Sequence, residues 1–384
     1  MKIIWAFIGF ICVLMTFVPD AQSSVDPSHQ FVRVRLMTIS KRFQLSGMSL
    51  RFQNLAQIYR PVAIPQTGQA EVRVLHKDGK KFWSLRLNNQ DHEHLFTEKY
   101  LMIQGDSLRA GMQTLPSKIL LTQNGKDKMD VIGVVPLEEY ITGVLSSEMP
   151  SSWPLETLKA QAVAIRSYTL AVMNERQDRA YHVESSVLDQ VFRHVMDQDD
   201  DKKIKKAMQA VRETEGVTLL GPDKKVLKAF YHADCGGHTT TARNVWKSGV
   251  DAGVAIDESC PTGPHSQWKL TLTKQELERR LHIYGLQSIR LIRNTADSRV
   301  QSVKVAANND EELFSANDFR QMVGFQDLRS TLFTAKDNGA TVQFAGQGFG
   351  HGVGLCQWGS RAMGIRGAKY TAILKHYYPL AKIN

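Results

Sequence analysis

Apolar and polar residues alternate in short runs from Phe31 to about Val135. Val32-Arg33-Val34-Arg35-Leu36, Glu71-Val72-Arg73-Val74-Leu75 and Phe82-Trp83-Ser84-Leu85-Arg86-Leu87 each send every second side chain to one face, the period of a half-buried strand. Lys77-Asp78-Gly79-Lys80 and Asn124-Gly125 supply turns between such runs, so antiparallel pairing is predicted there. After Val135 the period changes. Pro154 can open a helix, and Leu155 to Met173 then runs without a breaker. Leu158, Ala162, Ile165, Thr169 and Val172 share one face of it, which predicts core. A second helix, with a solvated charged face, is predicted from Asp199-Asp200-Asp201 through Met208, ending before Gly216. Val226–Tyr231 and Val342-Gln343-Phe344 read as strands, and Thr273–Ile283 and Tyr370–Tyr377 as helices. The predicted fold class is α+β, a largely antiparallel β-rich body with several packed helices. The expected division is a leader over 1–23, a β-rich portion over 24–135 and a core over 136–384, packed as one composite unit.

The leader changes the expected compartment. Lys2, the apolar run Ile3–Val18 and the small-residue stretch to Ser24 read as a secretory signal. The run of about 16 residues falls short of the ~20 that span a bilayer. Export to the periplasm or cell envelope is therefore expected, with membrane attachment only if the segment is retained as an anchor. Composition fits a folded enzyme: 42% hydrophobic and 22% charged residues over 384 exclude collagen, coiled coil and bulk disorder. Lys and Arg number 48 against 38 Asp and Glu, a formal charge of +10. That balance favours polyanions, anionic envelope polymers or membrane surfaces, but it is spread along the chain and names none of them; no nucleic-acid partner is expected. With Cys12 in the leader, Cys235, Cys260 and Cys356 remain, an odd number that excludes a disulfide scaffold. One bridge can still form in an oxidising compartment, and the pair nearest in sequence is Cys235 with Cys260. Cys356 then reads as a buried structural thiol.

Four groups of residues bear candidate chemistry. Glu148, between Leu145 and Met149 and ahead of Pro150, can be partly desolvated, which raises its pKa and suits a general acid; a surface or capping glutamate is the alternative. On the following helix, Lys159 and Arg166 form one stripe, and Gln161 and Tyr168 another about 200° away. The two stripes cannot both face one small cleft. The segment His232-Ala233-Asp234-Cys235-Gly236-Gly237-His238 raises a zinc site, but its spacing matches no finger or metalloprotease pattern. Its double glycine suits a sharp turn or a close backbone approach to a ligand. Six glycines between Gly346 and Gly359, with His351 and Gln357 among them, mark a loop that must approach something closely. No P-loop lysine follows, so phosphate cradling has little support.

These residues resemble a known family. Pro136-Leu137-Glu138-Glu139-Tyr140, Glu148-Met149-Pro150, Trp153-Pro154 and Leu158 through Tyr168 look like the SpoIID/LytB family of stage II sporulation protein D and amidase-enhancer relatives. So do Phe230-Tyr231-His232, Gly236-Gly237-His238-Thr239, Asn244-Val245-Trp246, Gly348 through Gly359 and Ile373 through Pro379. The blocks stand in family order. The resemblance implies an envelope protein acting on peptidoglycan, with sporulation members being lytic transglycosylases that cut glycan strands poor in stem peptides. It places the catalytic glutamate on Glu148 and recurrent motif positions on Lys159, Gln161, Arg166, His232, Gly237, His351 and Gln357. Tyr168 and Gly236 join these as expected substrate-binding residues. Some members bind zinc through Cys and His just before a Gln-Val-Tyr. Here that stretch is His182 to Phe192 and lacks the cysteines, so no metal or other cofactor is expected.

A hydrolase usually needs a second acid. Lytic transglycosylation does not, because the muramic acid's own primary hydroxyl attacks the anomeric carbon. The expected partners are glycan strands and, on the enhancer side of the family, a cell-wall amidase. The alternatives are a non-catalytic peptidoglycan-binding enhancer of an N-acetylmuramoyl-L-alanine amidase, and a hydrolase pairing Glu148 with Asp234 or Glu156.

Overall fold

The computed structural model describes residues 30–54, 62–64, 68–77, 79–88, 93–97, 99–186, 189–194, 202–258, 263–308 and 310–384. The leader, Asp199–Asp201 and Cys260 lie outside the described residues, and with them the expected signal and the Cys235–Cys260 pair.

The alternating runs form the predicted antiparallel sheet. Strand Phe31–Ser40 pairs with Lys128–Pro136, which is followed by Lys118–Asn124, Tyr100–Ala110, Arg42–Asn54, Gly68–Lys77, Lys80–Leu87 and Glu93–Phe96. Phe43, Phe52, Val72, Trp83 and Leu101 fill one face of it as a core of their own. The opening pair matters most for the rest of the molecule. Phe31 stands opposite Pro136, and Leu137 N–H donates to the Gln30 carbonyl at 2.9 Å, so the sheet delivers the chain directly into a helix.

Eight helices follow among the described residues: α1 (Leu137–Glu148), α2 (Leu155–Glu175), α3 (Lys202–Arg212), α4 (Ala242–Trp246), α5 (Lys274–Leu281), α6 (Ala316–Val323), α7 (Gln357–Ile365) and α8 (Tyr370–Tyr377). The sequence reading treated 137–147 only as an apolar segment. Leu137, Tyr140, Ile141, Val144 and Leu145 are buried on α1, and their spacing is itself helical. The helix stops where it does because Met149 precedes Pro150 and takes extended dihedrals (φ −128°, ψ 138°). Helix α2 runs from the predicted start, packs against α1, α3, α7 and α8 and is buried nearly all round, as a central helix must be. Val226–Tyr231, read as a strand, is mostly irregular. Apart from a single antiparallel bridge of Val226 to Leu220, only Tyr231–His232 pairs, in parallel with Leu355–Cys356.

The buried residues of 136–384 divide into two clusters. One surrounds α2 and reaches back to Val32 and Val34. The other, from Trp268 to Phe344, is built of two three-stranded sheets with α5 and α6. The molecule is α+β, with a strand-rich, mostly antiparallel body. No helix among the described residues is long and apolar enough to cross a membrane.

Candidate active site

The last residue of α1 opens into a cleft of about 520 Å³ between the helical core and the third cluster. Glu148 lines it, as do Tyr168 of α2, Asp189, Phe230, His232, Trp246 of α4, His351 and Gln357 of α7. The third cluster contributes Asn317 and Arg320 of α6, with Phe325 and Gln326.

Glu148 sits at the carbonyl end of its helix, where the macrodipole disfavours negative charge. Burial raises its pKa above the usual carboxylate range. Two weaker effects oppose this, a hydrogen bond from Gln357 Nε2 to Oε2 at 3.5 Å and one from the Val191 main chain. Among the described residues no cation is paired with it. The other carboxylate of the cleft is committed: Asp189 takes two bonds from Arg176 (2.8 and 3.2 Å), one from the Glu184 N–H (3.0 Å) and one from the Tyr168 hydroxyl (3.2 Å). The site therefore holds one carboxyl group poised to exchange a proton and one locked in an ion pair.

An aromatic wall lines the same cleft. Phe230 and Trp246 stack at 4.5 Å between centroids, and Tyr168 meets Phe230 edge-on at 5.6 Å. His351 lies 5.1 Å from Trp246 and 5.5 Å from His232. Burial and then His232 push its pKa well below the imidazole range, so it is neutral. Its Nδ1 accepts the Val353 N–H at 3.0 Å, and its other nitrogen faces the Tyr231 main chain. His351 thus braces the wall, and its ring is not poised to move protons.

The structure brings together Glu148, Tyr168, His232, His351 and Gln357 of the predicted set and leaves the others outside the cleft. Lys159 pairs with Glu156 at 2.9 Å and Glu213 at 2.5 Å. Arg166 is fully buried and grips Glu138 with two bonds of 2.9 and 2.6 Å. Gln161 is also fully buried, its amide without a partner among the described residues. A basic stripe facing substrate is therefore not what α2 presents. The second acids proposed for hydrolysis are also elsewhere. Glu156 accepts from Lys159 and from the Tyr370 N–H, and buried Asp234 accepts from the Gly236 N–H at 2.9 Å.

The glycines approach the chain itself. Gly236 packs against Gln347, and Gly237 forms the same turn; neither lines the cleft. In the glycine-rich loop, Gly350 has φ 115°, and a Cβ there would lie 2.7 Å from that of His232. Only glycine lets this backbone lie against the His232 strand.

Sequence reasoning missed Arg320, Asp189 and the aromatic wall. Phe230 and Trp246 lay within recognised motifs, but Arg320 had no local signal. It is buried, donates to the Leu328 and Arg329 carbonyls (2.9 and 2.6 Å), and burial with Arg299 lowers its pKa. His232 also stands beside two thiols, Cys235 and Cys356, a second grouping behind the cleft wall.

Residues 125–220, which contain Glu148, match the family model described as stage II sporulation protein. Residues 261–354, most of the third cluster, match a domain of unknown function. A stage II sporulation protein D of Bacillus amyloliquefaciens is 30% identical over 255 residues, covering 64% of this chain and 73% of that protein. An uncharacterised protein of Brachyspira hyodysenteriae is 32% identical over 260 residues, 66% and 67% of the two chains. An amidase enhancer of Bacillus subtilis (strain 168) is 27% identical over 292 residues, 62% of this chain but 39% of that protein. With the family model matched over 125–220 and a stage II sporulation protein D 30% identical across 73% of its own length, the chain belongs to the stage II sporulation protein D family.

Proposed function

We propose that the protein is an exported peptidoglycan lytic transglycosylase with Glu148 as its single general acid and base. The observation that carries this reading is the contrast within the cleft: Glu148 has a raised pKa and no paired cation, while Asp189 is held by Arg176. A carboxyl that keeps its proton to higher pH than an ordinary glutamate can donate it to the glycosidic oxygen as the C–O bond breaks. The C6 hydroxyl of the same muramic acid then bonds to the anomeric carbon, and the Glu148 carboxylate takes up that hydroxyl's proton. An anhydro ring forms, the glutamic acid is regenerated, and no second carboxylate is required. The apolar faces of sugar rings suit Trp246 and Phe230. Arg320, the cation that lines the cleft, takes the role of carboxylate partner that the sequence reading gave to Lys159 and Arg166.

Digestion of denuded glycan strands followed by mass spectrometry tests the proposal. Anhydro ends support it, and reducing ends would indicate a hydrolase. The likeness to an amidase enhancer favours a second reading, a glycan-binding protein that stimulates an amidase. Retained binding with no cleavage, together with faster release of stem peptides by an added amidase, would favour that reading.

A further inference from the structure

We propose that His232, Cys235 and Cys356 form a structural zinc site that pins the His232 segment to the start of α7. One ligand atom from each lies within 4.8 Å of the other two, and the residues are 5%, 0% and 0% exposed. Cys235 and Cys356 are 121 positions apart in the chain, which is why the spacing of 232–238 alone matched no zinc pattern. The fold supplies the missing thiol: in the parallel pair of Tyr231–His232 with Leu355–Cys356, His232 stands directly beside Cys356.

Each donor is prepared for a soft cation. The N–H groups of Cys235 and Gly359 both point at the Cys356 sulfur, at 3.3 and 3.4 Å, and Cys356 caps the N-terminus of α7. Two amide donors and the positive end of a helix stabilise a thiolate. The Nδ1 of His232 lies 3.1 Å from the Val353 carbonyl, which can only accept, so Nδ1 carries a proton there and Nε2 is the nitrogen that would ligate the metal. Such a carbonyl contact is the usual outer support of a metal-bound imidazole. Asp257 stands outside this three-residue group and would move in as the fourth donor. Its Oδ2 is 3.8 Å from the Cys235 sulfur and accepts the Tyr377 hydroxyl at 2.6 Å.

Two sulfurs and one imidazole, to be completed by the nearby carboxylate, make a donor set that selects zinc over the harder cations. With Zn–S near ~2.3 Å and Zn–N near ~2.0 Å, tetrahedral donors stand about 3.5–3.8 Å apart. The observed group needs to contract by roughly 1 Å to close. As the metal binds, the two thiols release their protons to solvent and the thiolates take their places as ligands. The residue after Cys356 is Gln357, which donates to Glu148, so the metal would hold this donor in place from behind the cleft.

Elemental analysis of the purified full chain, dialysed under reducing conditions, is the test. About one zinc per chain is expected, falling to below ~0.2 in Cys235→Ser and Cys356→Ser. Cobalt substitution of the unmodified protein is expected to give the sulfur-to-metal charge-transfer absorption of two thiolates, a readout that does not depend on how the variants fold. Three results would overturn the proposal: no zinc after reconstitution, no thiolate–cobalt absorption, or non-reducing peptide mapping that finds Cys235 joined to Cys356 as a disulfide. The outcome is independent of glycan cleavage, so it stands or falls apart from the proposed activity.

Discussion

The two ends of α1 carry glutamates with opposite fates. Glu138, in the first turn, lies where the helix dipole favours an anion, and the fully buried guanidinium of Arg166 grips both its oxygens. Glu148, ten positions on, ends the helix where the dipole disfavours charge, is half-buried, and is met by the Gln357 amide at 3.5 Å and the Val191 main chain rather than by a cation. One carboxylate is structural and the other is chemically poised, although both belong to one helix and lie within recognised motifs. The difference shows that the partner reaching the residue from another segment decides its role.

The sharpest test of that contrast is Glu148→Gln. Loss of the proton donor is expected to lower glycan cleavage by about 10²–10⁴-fold while strand binding, measured by co-sedimentation, persists. Unchanged cleavage would remove Glu148 from its role. At the other end, Arg166→Met strands Glu138 without its cation, and a loss of about 3–5 kcal/mol is expected in urea unfolding. Cleavage per folded molecule should remain, and a variant that folds normally but cannot cut would break the comparison. A smaller effect is expected for Gln357→Leu. Removing the bond that opposes the raised pKa of Glu148 moves the alkaline limb of the pH–rate profile upward, with a stability cost below about 1.5 kcal/mol.

The smallest effect is a stability difference between Glu148→Gln and the unmodified chain. Folded Glu148 keeps its proton to higher pH than unfolded Glu148. The unmodified protein therefore loses stability as pH rises from the ordinary glutamate value through the raised one. The amide loses none, so the variant should melt higher at pH 7, and the gap should vanish once pH falls below the ordinary value. A lower melting temperature for the variant at pH 7 would contradict the raised pKa.

Much of this site could be read before the fold was known. The alternating runs are strands, α2 starts where Pro154 predicts, α8 occupies Tyr370–Tyr377, and Glu148, Tyr168, His232, His351 and Gln357 meet in one cleft. Helix α1 was also legible, in the spacing of Leu137, Tyr140, Ile141, Val144 and Leu145, but was read only as an apolar stretch. Lys159 and Arg166 lie outside the cleft for a physical reason. Helical periodicity says which residues share a stripe, but not whether water or another carboxylate faces it. Here Glu213 and Glu138 do.

Local chemistry accounts for the strands, the helix stop at Pro150 and the glutamate left at a helix end, because dihedral preference, side-chain period and dipole act over a few residues. Arg176 on Asp189, Arg320 in the cleft and Cys356 beside His232 depend on through-space distances between distant segments, and only packing brings those groups within reach of one another. Ion pairing, desolvation and metal coordination all fall off within a few ångströms, so the assignment of roles waited for the folded chain.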